Sequence, residues 1–170
     1  AGFMPGKPDE SLNDTLMVKP GSISAAVYAD FPAGRQFPLT EAQKEIWIAS
    51  HLSDTASTSY NELFMLDLEG DLDLDNFNEA VQIVTARHQA LHVTFSEDGE
   101  YQTTKRPSVI DIPLFDLTMM SDLEQQAKIK EVWEEDARRP FDLANGPLIF
   151  GKLFKLSEEK HIFLSASHHI

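Results

Sequence analysis

The sequence predicts an α/β protein, a two-layer sandwich of helices on sheet. Three observations carry that prediction. Two capping boxes, Thr40 with Gln43 and Ser121 with Glu124, each open a segment of helical period. Phe77, Ala80, Val81, Val84, His88 and Leu91 recur at the spacing of one helix face. Short apolar runs bounded by turn residues lie between and after these segments and read as strands.

Residues 1–37 stand apart. They hold four of the nine prolines and four of the eight glycines, and no helical or strand period persists through them. They read as a tether lying on the surface of the folded part, with one weak strand signal at Ile23–Tyr28. A folded unit is expected from residue 38 to residue 170. Its first helix starts at Thr40 and runs to Leu52, with Ala42, Ile46 and Ala49 inward and Trp47 beside them. Ser53–Ser59 is polar and reads as a loop. Leu63–Leu68 is apolar on both faces, which predicts a buried strand. Asp71–Asp75 supplies a turn and acids for the start of the Phe77–Leu91 helix.

Val93–Phe95 and Tyr101–Thr104 flank an Asp98-Gly99 turn and read as a hairpin. Ile112–Leu117 is a further short strand. The helix capped by Ser121 runs to Arg138, with Ile129, Val132, Trp133 and Ala137 inward, and Pro140 stops it. Leu148–Leu156 and His161–His168 form a second hairpin around Ser157–Lys160.

Composition excludes several classes of function. Net charge is −14, from 14 Lys and Arg against 28 Asp and Glu. With no basic stripe, nucleic acid and anionic membrane surfaces are disfavoured as partners. No apolar run approaches the ~18 residues of a membrane helix, and no signal peptide opens the sequence, so a cytoplasmic protein is expected. There is no cysteine, hence no disulfide, thiol nucleophile or Cys-based zinc site. Gly-rich phosphate loops and G-x-S-x-G elbows are absent. A metal site is not expected, because neighbouring histidines on a strand diverge.

The candidate chemistry lies in His168-His169, at the end of the last strand. Adjacent strand residues point to opposite faces. His168 shares a face with Ile162, Leu164 and Ala166, the more apolar set. His169 shares the other with Phe163, Ser165 and Ser167. His168 is therefore expected to be buried or structural, and His169 to meet a substrate. Arg87 suits the negative end of its helix, with His88 packed at the core margin.

Three segments together resemble nonribosomal peptide synthetase condensation domains. Leu39-Thr40-Glu41-Ala42-Gln43-Lys44-Glu45-Ile46-Trp47 is similar to the family's first motif, S/T-x-A-Q-x-x-L/I-W. Ala86 to Phe95 is similar to the second, R-H-E-x-L-R-T-x-F. Ser167-His168-His169-Ile170 is similar to the opening of the third, H-H-x-x-x-D-G. Tyr60-Asn61, Gly70-Asp71-Leu72-Asp73, Arg139-Pro140-Phe141-Asp142-Leu143 and Gly146-Pro147-Leu148 also match. Two positions depart from the second motif: Gln89 stands for Glu, and His92 for Arg. The His-His pair argues against the cyclization subtype, and some wording is similar to that of hybrid polyketide–peptide lines.

The resemblance implies the N-terminal lobe of a two-lobed, chloramphenicol-acetyltransferase-like fold with its active site in a tunnel between the lobes. It implies amide formation between an acyl thioester on a donor carrier protein and an aminoacyl thioester on an acceptor carrier protein. His169 would act as general base or position the amine, and His168 would support it. Gln43, Trp47, Arg87, His88, Ser165 and Ser167 would support the tunnel or motifs. No cofactor is bound directly, since phosphopantetheine arms belong to the carriers. Partners would be those carriers, neighbouring adenylation or polyketide modules and the chain's own C-terminal lobe. The third motif runs past Ile170, so the chain reads as a piece of a larger enzyme, inactive as an isolated lobe. Two alternatives stay open: a non-catalytic condensation-like module that recruits partners, and an acyltransferase of the same superfamily acting on a free acceptor.

Overall fold

The computed structural model describes residues 15–17 and 33–170. The elements in order are β1 (Thr15–Met17), β2 (Gln36–Pro38), α1 (Glu41–Leu52), α2 (Asp54–Thr58), β3 (Asn61–Glu69), α3 (Leu74–Arg87) and a 3-10 turn (Gln89–His92). Then come β4 (Val93–Phe95), β5 (Tyr101–Thr104), β6 (Pro113–Asp116), α4 (Asp122–Ala137), β7 (Ile149–Ser157) and β8 (Lys160–His168). The strand signal at Ile23–Tyr28 lies outside the described residues. Within the segment read as a tether, Thr15–Met17 pairs with β6, and Gln36–Pro38 pairs with β5.

Helix starts follow the capping chemistry. Thr40 Oγ1 accepts from Gln43 N at 3.2 Å, and Gln43 Oε1 accepts from Thr40 N at 3.1 Å. Each bond satisfies an amide that the helix itself leaves unpaired. Asp73 Oδ1 caps α3 by accepting from Asn76 N at 2.9 Å. Glu124 reaches back to Ser121 N at 2.8 Å, and its bonds with the Ser121 side chain and backbone hold its carboxyl below the usual range.

The main sheet has the order β1-β6-β7-β8-β3, and a smaller one the order β2-β5-β4. β6 and β7 are parallel, with α4 as the crossover, and the other pairs are antiparallel. The sheet of this α/β sandwich carries a helix on each face. On one, Ile129 and Val132 of α4 pack with Phe115, Phe154 and Leu164. On the other, Phe77 and Val81 of α3 pack with Leu114, Leu153 and Phe163. A third cluster of Leu39, Phe95, Leu143 and Leu148, with Trp47 and Ile170 against it, joins the small sheet to the end of β8.

Three expectations need correcting. The strand read as buried is an edge strand: Phe64, Met65 and Leu66 are 48%, 42% and 49% exposed. An apolar run shows that a strand wants cover on both faces, and β3 lies at the end of the sheet, where α3 and α4 cover it only in part, with Leu68 against the α3 cluster. Ser53–Ser59 is not all loop, because Ser53 Oγ accepts from Ala56 N at 3.1 Å and caps the short helix α2. The helix read as reaching Leu91 ends at Arg87. His88 is its cap, with an extended backbone at φ −104° and ψ 102°, so His88 leaves the apolar face and is exposed. His92, in the following turn, is buried instead and donates from Nε2 to the Thr85 carbonyl at 2.7 Å.

Lys152 Nζ donates to Asp136 Oδ1 at 2.7 Å across the gap between β7 and α4. The Asp136 side chain is buried, and its Oδ2 has no partner. Lys152→Met would strand a buried carboxylate. It is expected to lower unfolding free energy by about 3 kcal/mol in urea titrations, and Asp136→Leu added to it to restore most of the loss.

Candidate functional site

The site is built by the pairing of β8. Its backbone is held on both sides: His168 N donates to the Leu148 carbonyl at 3.1 Å, and His169 N donates to the Tyr60 carbonyl at 2.9 Å. Asn61 lies opposite His168, and Glu62 opposite Ser167. Side chains opposite one another in an antiparallel pair share a face. Glu62, Ser167 and His169 therefore share one face, and Asn61 and His168 the other.

His168 is 8% exposed. Phe141 meets its ring edge-on at 6.0 Å between centroids, and Tyr60 lies tilted at 6.1 Å. Its Nδ1 accepts from Ile170 N at 3.2 Å, so the proton of the neutral ring sits on Nε2. Burial, then the neighbouring His169, lower its pKa to about 4, against a smaller opposing effect of the Ser57 carbonyl. That carbonyl lies near the ring without making a full hydrogen bond, since Nε2 has no partner. His168 is thus neutral over the physiological range and internal. Asn61, on the same face, donates from Nδ2 to the carbonyls of Ala137 and Arg139 at 3.2 and 2.8 Å, tying off the end of α4 beside the pair.

The His169 side chain is 58% exposed, and its Nδ1 lies 2.8 Å from Glu62 Oε1. A carboxylate only accepts, so a proton placed between the two atoms would come from the imidazole. The two adjacent histidines thus have different partners, the Ile170 amide for one and Glu62 for the other.

Gln43 connects the first helix to this strand end. Its Nε2 donates to the Ile170 carbonyl at 3.2 Å, while its Oε1 accepts from Gln102 Nε2 at 3.1 Å as well as from Thr40 N. Trp47 lies one turn further along. It stacks on His51 at 4.0 Å and covers Gly99 so closely that a Cβ there would sit 2.7 Å from the indole. Gly99 also has φ +70°, so both the close approach and the backbone of the Asp98-Gly99 turn require a glycine beneath Trp47.

Ser165 is buried and donates from Oγ to the Phe150 carbonyl at 3.3 Å, and Ser167 lies half-buried on the His169 face. The structure does not bring Arg87 or His88 to the pair. Both are exposed at the end of α3, and among the described residues neither side chain has a hydrogen-bond or ion-pair partner. A cavity of about 400 Å³ opens between α1 and the Phe141–Ala144 loop, lined by Trp47, Ser50, His51, Ser57, Phe95 and Phe141 among others. It adjoins His168 through Ser57 and Phe141, and His169 does not line it. Glu62, Tyr60 and Phe141 are the site residues that sequence reasoning does not assign. All three fall in matched wording, but only strand register places Glu62 on the face of His169.

The chain is thus an α/β sandwich with an exposed histidine at the end of β8 beside a buried, neutral one. The profile of the family described as "Condensation domain" matches residues 34–170. The chain belongs to the condensation-domain family of nonribosomal peptide synthetases. It is 32% identical over 152 residues to chondramide synthase of Chondromyces crocatus, covering 88% of this chain and 4% of that protein. It is 30% identical over 133 residues to malpibaldin synthetase of Mortierella alpina, covering 78% of this chain and 2% of that protein. The crystal structure of the starter condensation domain of rhizomide synthetase matches with TM-score 0.70 at 29% identity, over 79% of this chain and 32% of that one. The chain thus spans a small fraction of each relative. Among the described residues no helix is long and apolar enough to cross a membrane.

The lowered pKa of His168 makes stability depend on pH. The ring binds its proton near pH 6.5 when unfolded and near 4 when folded. The unfolded state therefore holds more protons between those values, and stability falls as pH falls through that window. Allowing for partial solvent access, the loss is about 2 kcal/mol, most of it reached by pH 4 and the rest below the folded pKa. Burial lowers His92 and His161 in the same sense. Urea midpoints measured from pH 7 to 4 are expected to show this slope, and His168→Asn to flatten it.

Proposed function

We propose that this chain is the N-terminal lobe, residues 38–170, of a domain that forms amide bonds between carrier-bound substrates. The acyl donor and the aminoacyl acceptor arrive on phosphopantetheine arms of separate carrier proteins, and the domain needs no cofactor of its own. A second lobe closes the open side of His169. The observation that carries the reading is His169 itself: solvent-facing, with Nδ1 beside Glu62, on a strand end whose Ser167-His168-His169-Ile170 resembles the family's histidine motif. The homologous synthases support the carrier and module partners.

The chemistry suits that geometry. The acceptor amine, with pKa about 7.7–8.0, is partly neutral near neutral pH. Its nitrogen attacks the thioester carbonyl, and the carbon–sulfur bond breaks to release the donor thiolate. The amine nitrogen sheds one proton as the bond forms, and Nε2 of His169 accepts it and returns it to the sulfur. General-base help of this kind contributes about 10²–10⁴-fold, and holding both thioesters at attack distance contributes as much or more. His168, neutral and buried, fixes the backbone that carries His169. Gln43 pins the Ile170 carbonyl next to it, Trp47 supports the wall beside α1, and Ser165 and Ser167 shape the strand.

His169→Ala in the complete domain is expected to cut single-turnover condensation between loaded carriers by about 10²-fold or more, with the fold intact by circular dichroism. A wild-type rate would remove His169 from the mechanism. The 170-residue chain alone is expected to give no product in the same assay.

A further inference from the structure

The face that carries His169 also carries a carboxylate to which no role has been given. We propose that Glu62 is a positioning residue for the amide-forming reaction, holding His169 in the Nδ1–H tautomer so that Nε2 is available to the acceptor amine. The proposal rests on the function assigned to His169 above.

Three observations support it. Glu62 Oε1 and His169 Nδ1 are 2.8 Å apart, a close contact between two polar atoms. The contact is fixed by backbone on both sides: Glu62 lies in β3, in register with Ser167, and His169 N is bonded to the Tyr60 carbonyl. The Glu62 side chain, 61% exposed, has no other hydrogen-bond or ion-pair partner among the described residues. It is not part of the core or of a cap, so its one contact is with the histidine.

A free imidazole favours the proton on Nε2, the nitrogen that must here be a lone pair. A carboxylate on Nδ1 reverses that preference and holds the ring plane in place. When Nε2 takes the proton released by the amine, the ring becomes an imidazolium next to the Glu62 carboxylate. The carboxylate stays ionised and stabilises that charge without accepting the proton. Once Nε2 gives its proton to the departing thiolate, the starting tautomer is restored.

Two measurements test this separately from the function assigned to His169. The first is the nitrogen-15 spectrum of the His169 ring in the 170-residue chain near neutral pH. Wild type and Glu62→Gln are expected to carry the proton on Nδ1, and Glu62→Ala on Nε2. The second is single-turnover condensation by the complete domain between loaded carriers. Glu62→Ala is expected to lower the rate constant by about 10–100-fold, on the scale of losing the partner that orients a metal-bound imidazole, with acceptor KM little changed. Glu62→Gln keeps the hydrogen bond but not the charge, and is expected to recover part of that loss. In Glu62→Ala/His169→Ala no loss beyond that of His169→Ala is expected, because Glu62 acts through the ring. Proton on Nε2 in the wild type, or a wild-type rate in Glu62→Ala while His169→Ala is impaired, overturns the role of Glu62. A wild-type rate in His169→Ala instead overturns the assigned function, and the tautomer readout remains to judge the contact.

Discussion

The register of β3 against β8 is the constraint on which the rest of the site depends. Asn61 faces His168, and one residue on, Glu62 faces Ser167. Side chains alternate along a strand, so a slip of a single residue would exchange every inward and outward position. His169 would enter the space that Phe141 and Tyr60 close around His168, and Glu62 would lose its partner. Nine paired positions hold this register, and the apolar side chains of β8 enforce it, because Leu164 must meet α4 and Phe163 must meet α3. The burial of the sheet centre thus decides which histidine reaches solvent at the strand end.

Gln43 extends that constraint to the first helix. A cap residue usually serves only its own helix. Here the same amide accepts from Thr40 N and Gln102 and donates to the Ile170 carbonyl. A side-chain amide offers two donors and an acceptor with two lone pairs, and this one joins three separate pieces of chain at the strand end. Hydrophobic contact in the Leu39, Phe95, Leu143 and Leu148 cluster brings those pieces together without fixing their angle. The directional bonds of Gln43 supply the angle.

Sequence patterns reveal features governed by local periodicity. Strand alternation alone separates His168 from His169, and both capping boxes can be read from residues three apart. The N-terminus of α3 is equally local. Features set by distant partners are hidden. Nothing near Leu63–Leu68 says that the strand lies at the sheet edge, so its apolar faces read as buried. Helical spacing carries through His88 to Leu91, yet the chain turns at His88 and buries His92 against the Thr85 carbonyl. The bond from Gln43 to Ile170 spans 127 residues, and the Glu62 contact requires the register of two strands whose pairing no short motif encodes.

The two histidines show why one dipeptide needs two environments. A buried imidazole is disfavoured from charging, and His168, near pKa 4, cannot serve as a proton acceptor at neutral pH. The same burial makes it a firm support, since its Nδ1 holds the Ile170 amide and its ring fills the space beside Phe141. A base must instead reach solvent-side reactants and tolerate a transient positive charge. In the proposed mechanism His169 has that freedom because its ring is exposed, with Nδ1 2.8 Å from Glu62. The low pKa of one residue and the availability of the other thus follow from a single backbone alternation.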